Sequence, residues 1–257
     1  MTIAEIGDVD HAARAVNHRR LRAAVTAVSS LSAADVDGMF ELYAAYYDGT
    51  TRALFEHDLL EKHWVVALHG ARGELAGFST LAVSDVAADG AAARIVYSGD
   101  TIIDRPYWGT QALAFTWIRF AGTLKAQAPE RPLYWFLIAK GHRTYRYMST
   151  FAIDFFPHWS KATPAPARRL IDDLARDRFG DAYRSDRGVV SFPQSRGHLK
   201  APWTQVEPDE LARLDVAFFL RSNPGYVRGD ELACLTELAP ANLRPIARRV
   251  FEQGMGG

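Results

Sequence analysis

Residues 97–111 read YSGDTIIDRPYWGTQ, and an apolar run, ALAFTWIRFAG, follows at 112–122. The first part is rich in β-branched and aromatic side chains, DRPYWG supplies Pro and Gly for a tight turn, and the run beyond has helical spacing. Leu113, Trp117, Phe120 and Leu124 recur at i, i+4, i+7 and i+11. The other faces are also rather apolar, so a helix over about 110–125 is expected to be buried. A strand that turns directly into a helix leaves backbone N–H groups unpaired at the helix start. With the positive end of the helix dipole they form a ready anion site, and no acidic residue intervenes from Arg105 through Ala128. An ordinary strand-to-helix connection has the same local features, so the order of the surrounding elements must decide.

Upstream, residues 11–28 look helical, with Arg14, Arg19, Arg20 and Arg22 on the polar side. Ser32 then caps the next helix with Asp35 three residues on. Val36, Met39, Phe40, Tyr43 and Tyr47 mark one face of that helix, and Asp48-Gly49 ends it. TRALFEHDLLEK (51–62) predicts a third helix. HWVVALHG (63–70) and ELAGFSTLAVSDV (74–86) read as a hairpin around an Arg-Gly step, and after a loop VAADGAA comes the strand RIVYSGDTII (94–103). Downstream, RPLYWFLIAK (131–140) is an apolar run of the kind covered on both faces, and GHRTYRYMSTFAIDFFP (141–157) predicts a helix. Beyond it, ARRLIDDLARDRFG predicts a helix and GVVSFP a short strand. LDVAFFLRSNPGY and DELACLTEL are strand candidates, and ANLRPIARRVFEQ closes as a helix with Pro245 in its first turn.

Composition narrows the class. With 257 residues, 48% hydrophobic and 23% charged, the chain has the balance of a globular protein. Thirty Lys and Arg offset thirty Asp and Glu, so the overall positive charge of a nucleic-acid binder is absent. The one cysteine, Cys234, excludes an internal disulfide and fits a reducing compartment. The N-terminal residues lack a secretory signal, and no window is long and apolar enough to span a membrane. A cytoplasmic protein without stable membrane association is the expectation. No G-x-S-x-G, phosphate-loop, G-x-G-x-x-G or H-E-x-x-H motif occurs, and ligand spacings for a metal are missing.

The element order over about 31–157, with YWGTQAL at its turn and KGHRTYRY after the apolar strand, resembles the GNAT superfamily of N-acyltransferases. A narrower likeness, to GNAT-like enzymes of specialised metabolism that attach fatty acyl groups to amines, rests on YSGDTIIDRPYWG and LYWFLIAKGHRTYRYM. The resemblance implies an α+β fold: a mixed, largely antiparallel central sheet flanked by helices. Residues 1–160 would form the acyltransferase core and residues 161–257 an α/β extension packed on it. The extension could complete the sheet, cover the acyl site or make a dimer surface. The short Pro-rich ATPAPA (162–167) marks the boundary.

The implied chemistry moves an acyl group from a thioester to the amine of a small molecule or peptide. The donor is acyl-CoA or the acyl-phosphopantetheine of an acyl carrier protein, without a metal. Donor contacts fall on Ile102, Trp108, Gly109, Thr110 and Gln111. Trp108 stands where the family has Arg or Gln, and Gly109 matches its first glycine. Gln111 and Leu113 replace small residues that let a phosphate lie against the backbone. Ser98-Gly99-Asp100 interrupts the strand, and glycine inside a strand often marks a bulge, so Ser98 and Gly99 are candidates for the oxyanion or substrate. An ammonium must lose a proton before it attacks, and Asp100 is the first choice for base or amine-binding carboxylate. Tyr147 and Tyr145 compete for the acid that protonates the leaving thiolate, and His142 serves as base or acid. Lys140 and Arg143 could meet phosphate. The substituted glycines leave a second class of function open: a degenerate GNAT-like module that binds an acyl carrier or partner without catalysis. Nucleic-acid binding through the basic N-terminal helix and Arg244, Arg248 and Arg249 has no support from the net charge.

Overall fold

The computed structural model describes residues 21–88 and 90–256. Its centre is an eight-stranded sheet. Strand β1 (Arg22–Ala27) leads to helix α1 (Ala33–Tyr46), the two-residue strand β2 (Tyr47–Asp48), α2 (Arg52–Leu60), β3 (Trp64–His69), β4 (Leu75–Ala88) and β5 (Ala91–Ile103). Then follow α3 (Ala112–Ala126), β6 (Leu133–Ala139), α4 (His142–Phe151), α5 (Ala165–Phe179), β7 (Tyr183–Arg184), β8 (Val189–Val190) and β9 (His198–Leu199). The short helices α6 (Ala201–Thr204) and α7 (Pro208–Leu211), then α8 (Leu214–Ser222), β10 (Glu231–Glu237) and α9 (Pro245–Gly254) complete the chain.

The sheet order is β1-β3-β4-β5-β6-β10-β8-β7. Neighbours run antiparallel except β5 and β6. That one parallel pair is joined through α3, as a parallel connection requires a crossover. The fold is therefore α+β with a largely antiparallel sheet.

Local chemistry explains several boundaries. Ser32 and Asp35 form a reciprocal capping box on α1, and the Thr51 side chain caps α2. Gly73 takes a φ of +87° in the β3–β4 turn, which a side chain would strain. On one sheet face α3, α4, α8 and α9 bury Val66, Leu81, Val96, Trp135 and Leu137. The opposite face holds two clusters. α1 and α2 cover Val65, Phe78 and Ile102, whereas α5 covers Ile95, Tyr97, Phe136 and Ile138. Helices α3 and α9 touch through glycines: a Cβ on Gly122 would collide with the Phe251 carbonyl, and one on Gly254 with that of Arg119.

Three expectations are corrected. Arg22–Ala27 is a strand, not the end of a helix, pairing antiparallel with β3; residues 11–20 lie outside the described part. Alanine-rich composition favours helix, but pairing with a sheet edge overrides so weak a preference. Leu214–Ser222 is a helix, not a strand. A short apolar run cannot be told from a buried helix by periodicity. Here the Asp215 carboxylate accepts from its neighbour's N–H at Val216 and from Arg213, which fixes the helical first turn. The loop expected at 86–92 is also shorter, because β4 and β5 run on to Ala88 and from Ala91.

Candidate active site

Strand β5 breaks register where Gly99 interrupts it. Ser79 pairs with Thr101 and Leu81 with Ser98, so Thr80 alone spans two residues, Gly99 and Asp100. This is a β-bulge, and the extra residue reverses the alternation beyond it. Tyr97 and Ile102, five positions apart, therefore face the same side of the sheet. A Cβ at Gly99 would sit 2.7 Å from both Lys62 Cε and Thr80 Oγ1, so glycine suits the crowded bend.

The same point opens the sheet. β5 and β6 are paired from Arg94–Leu133 to Ser98–Leu137 and no further. Past the bulge a cleft of about 400 Å³ is lined by Thr101, Ile102 and Ile103 of β5, by Trp108 to Gln111 of the turn, and by Gly141 to Thr144, Arg146 and Tyr147. On the other side, between the α1–α2 and α5 clusters, lies a cavity of about 90 Å³ lined by Asp100, Gly99, Tyr43, Tyr47, Tyr97, Asp58, Lys140 and Glu231. The two share Tyr47, Thr101 and Thr144. A third cavity, about 20 Å³, opens from Thr101 and Tyr147 into the core between Ser98, Leu113, Trp117 and Trp135.

The turn is held rigidly. The Tyr46 hydroxyl donates to Asp104 at 2.6 Å and accepts the Arg105 N–H at 2.5 Å, while Tyr107 donates to Glu74 at 2.5 Å. The Trp108 indole N–H donates to the Ile103 carbonyl at 2.7 Å. Gly109 has a φ of +86°, which glycine adopts freely. The N–H groups of Trp108 and Thr110 bond within the turn, and that of Ala112 bonds to Thr110 Oγ1. Among the described residues those of Gly109, Gln111, Leu113 and Ala114 have no acceptor. The expected crowding by Leu113 does not occur, since its side chain is buried in the core; Gln111 is exposed at the cleft. Arg143 stacks over the Trp108 ring, and Trp203 of the C-terminal half meets the same ring edge-on.

Electrostatics concentrates around Asp100. Burial, then the neighbouring Asp58 carboxylate, pushes its carboxyl up to about 7, with Lys140 and Lys62 opposing. Lys62 is bound to Asp58 at 2.8 Å and Lys140 to Glu231 at 3.5 Å. Burial disfavours the Lys140 charge, but Glu231, Tyr47 and Asp100 outweigh it and hold its pKa above the ordinary value. Burial raises Glu231.

The candidates separate by face. Asp100 and Gly99 line the smaller cavity, and Tyr147, His142, Ile102, Trp108, Gly109, Thr110 and Gln111 line the cleft. The Tyr147 hydroxyl has no partner among the described residues, and burial raises its pKa. Tyr145 lines neither space: it is fully buried and donates to the Pro157 carbonyl at 2.8 Å. Two positions on a helix differ by about 200°, so one tyrosine faces the cleft and the other the core. Ser98 points to the core face, where its hydroxyl accepts from the Trp135 indole at 2.9 Å, so it does not join Asp100. His142 Nε2 lies 3.3 Å from Glu210, and burial, then Arg143, lowers its pKa. Lys140 belongs with Glu231 beside the smaller cavity rather than with a phosphate. Asp58, Lys62, Tyr43, Tyr47 and Glu231 were not singled out for the site from sequence, because no local motif links segments so far apart.

Among the described residues no helix is long and apolar enough to cross a membrane, and no group of three or more His, Cys, Asp or Glu has metal-binding geometry. No family model matches the chain, and no curated protein matches it. The chain resembles several solved structures at low sequence identity. One is a protein of Enterococcus faecalis V583 described as a probable N-acyltransferase, at 14% identity and TM-score 0.40, with 61% of this chain and 43% of that one covered. This chain thus spans less than half the length of that protein. Another is the Escherichia coli GNAT family N-acetyltransferase YhbS in complex with CoA, at 18% identity and TM-score 0.35, covering 51% and 69%. A third is Escherichia coli ElaA, at 15% identity and TM-score 0.35, covering 54% and 93%. Likenesses this distant carry no argument about chemistry, which has to come from the side chains.

Proposed function

We propose that this protein is a GNAT-like N-acyltransferase that moves an acyl group from coenzyme A to an amine. One observation carries the proposal: a cavity holding a carboxylate and a cleft holding a tyrosine hydroxyl, neither with a partner among the described residues, meet at Thr101, beside a strand bulge.

The amine enters the smaller cavity as an ammonium and gives a proton to Asp100, whose raised pKa suits it to act as a base near neutral pH. The freed lone pair attacks the thioester carbonyl at the junction of the two spaces. Backbone N–H groups at the Gly99–Asp100 bulge stabilise the oxyanion. The C–S bond then breaks as the C–N bond is kept, the thiolate takes a proton from the Tyr147 hydroxyl, and the new amide nitrogen gives up its second proton to water, from which the Tyr147 phenolate is reprotonated. The four unpaired N–H groups at the start of α3, together with Arg143 and Arg146 across the cleft, favour the donor's pyrophosphate. The 20 Å³ cavity behind Tyr147 has room for a group the size of a methyl, which favours a short acyl chain over a fatty one.

Release of free thiol from acetyl-CoA in the presence of a panel of primary amines tests the proposal, with acyl-carrier-bound donor run in parallel. Turnover above background that falls in Asp100→Asn and Tyr147→Phe is the expected result. A protein that binds either donor tightly but releases no thiol would instead fit the binding-module alternative.

A further inference from the structure

We propose that the acceptor is a small zwitterion, an amine that also carries an acidic group as an amino acid does, with its ammonium at Asp100 and its acidic group at Arg196. This rests on the acyl-transfer reading above and adds the class of substrate. The 90 Å³ cavity is rich in charge, and nearly all of that charge is already paired. Lys62, whose side chain is fully buried, holds Asp58 at 2.8 Å; Lys140 holds Glu231 at 3.5 Å; Arg178 lies 3.6 Å from Glu61. Two lining groups are left over. Among the described residues the Asp100 carboxylate makes no hydrogen bond or ion pair, and the Arg196 guanidinium makes only a ring contact, 4.5 Å from the centre of Phe192.

One unmatched anion and one unmatched cation on the same small cavity are complementary to a ligand carrying both charges. Asp100 is partly buried on the central strand, whereas Arg196 is exposed, which orients the ligand with its amine inward towards the thioester. Arg196 is kept beside the cavity by its neighbour: Gly197 packs so closely on Tyr43, a cavity wall, that a Cβ there would sit 2.7 Å from the phenol oxygen. A simple alkylamine would leave the guanidinium without a partner, and a diamine would bring a second positive charge towards it. The modest volume favours a small acceptor over a long peptide.

The test uses the full chain with coenzyme A present and pairs of probes that differ in the acidic group: alanine against ethylamine, lysine against cadaverine, and phosphoethanolamine against ethanolamine. Binding is read by calorimetry. The acid-bearing member of a pair should bind about tenfold more tightly, the size of one charge-assisted contact. Arg196→Gln should erase the difference and Arg196→Lys should keep part of it. The first two pairs report a carboxylate and the third a phosphate. Equal affinity within every pair, no binding of any probe, or a preference untouched by Arg196→Gln overturns the inference. Thiol release in parallel samples, with acetyl-CoA in place of coenzyme A, judges the acyl-transfer reading separately. A pair preference without turnover sinks that reading alone, and turnover without a pair preference sinks this inference alone.

Discussion

Asp100 and Asp58 face the same 90 Å³ cavity, and after burial it is the charge of Asp58 that most raises Asp100, to about 7. The base of the proposed reaction is thus tuned by a second carboxylate from a helix more than forty positions earlier in the chain. Activity should therefore rise with pH through about 7 as Asp100 ionises. Asp58→Asn removes the opposing charge and leaves the Lys62 ammonium unbalanced, so the rising limb should move to lower pH. A pH profile of kcat/KM for the two proteins measures this, and an unmoved limb counts against Asp100 as the base.

The same shift has a consequence for stability. The folded value near 7 lies above the ordinary 3.8, so folding favours the protonated carboxyl. That contribution is fully present below pH 4 and is lost as pH rises through 7. Asp100→Asn keeps a neutral side chain at every pH. Its melting temperature relative to the unsubstituted protein should therefore be higher at pH 8 than at pH 5, by a few degrees in thermal denaturation. An offset that does not change between the two pH values contradicts it.

Tyr147→Phe should lower kcat by about a hundredfold, the usual scale for loss of a positioned proton donor. Donor KM should be little changed, because the ring and its stacking on Phe151 are retained. The loss should shrink with an acyl donor whose thiol is more acidic and needs no proton. Steady-state kinetics with coenzyme A and aryl thioesters separates these cases. Tyr145→Phe, which removes the bond to the Pro157 carbonyl in the core, should act on stability rather than on this thiol dependence.

Gly109→Ala places a side chain at a φ of +86° with open space around it, so the cost is backbone strain of about 1 kcal/mol. The turn's N–H groups are then misdirected, and donor KM should rise several-fold with kcat nearly unchanged. Gly122→Ala contrasts with it. Its Cβ would run into the Phe251 carbonyl on α9, which cannot move without parting two packed helices. Destabilisation of about 3 kcal/mol or more is expected in chemical denaturation.

Much of this arrangement was legible in the sequence where chemistry is local. Ser32 and Asp35 announced their capping box, the Pro and Gly of DRPYWG their turn, and Gly99 the bulge on which the site is built. What depended on distant partners was not legible. Whether Arg22–Ala27 became strand or helix rested on β3, and whether Tyr145 or Tyr147 met the cleft rested on which side of α4 packed against the sheet. The charges around Asp100 come from α2, β6 and β10, segments that only the folded sheet brings together.

A crystal structure with acetyl-CoA bound tests the central claim most directly. The expected result has the pyrophosphate on the N–H groups of Gly109 and Gln111, and the thioester sulfur within hydrogen-bond reach of the Tyr147 hydroxyl. The acetyl carbonyl should lie beside Gly99, facing the cavity of Asp100. Acetyl-CoA bound elsewhere, such as the groove of about 590 Å³ between α5 and β10, or bound in the cleft with its thioester turned away from the bulge, would contradict it.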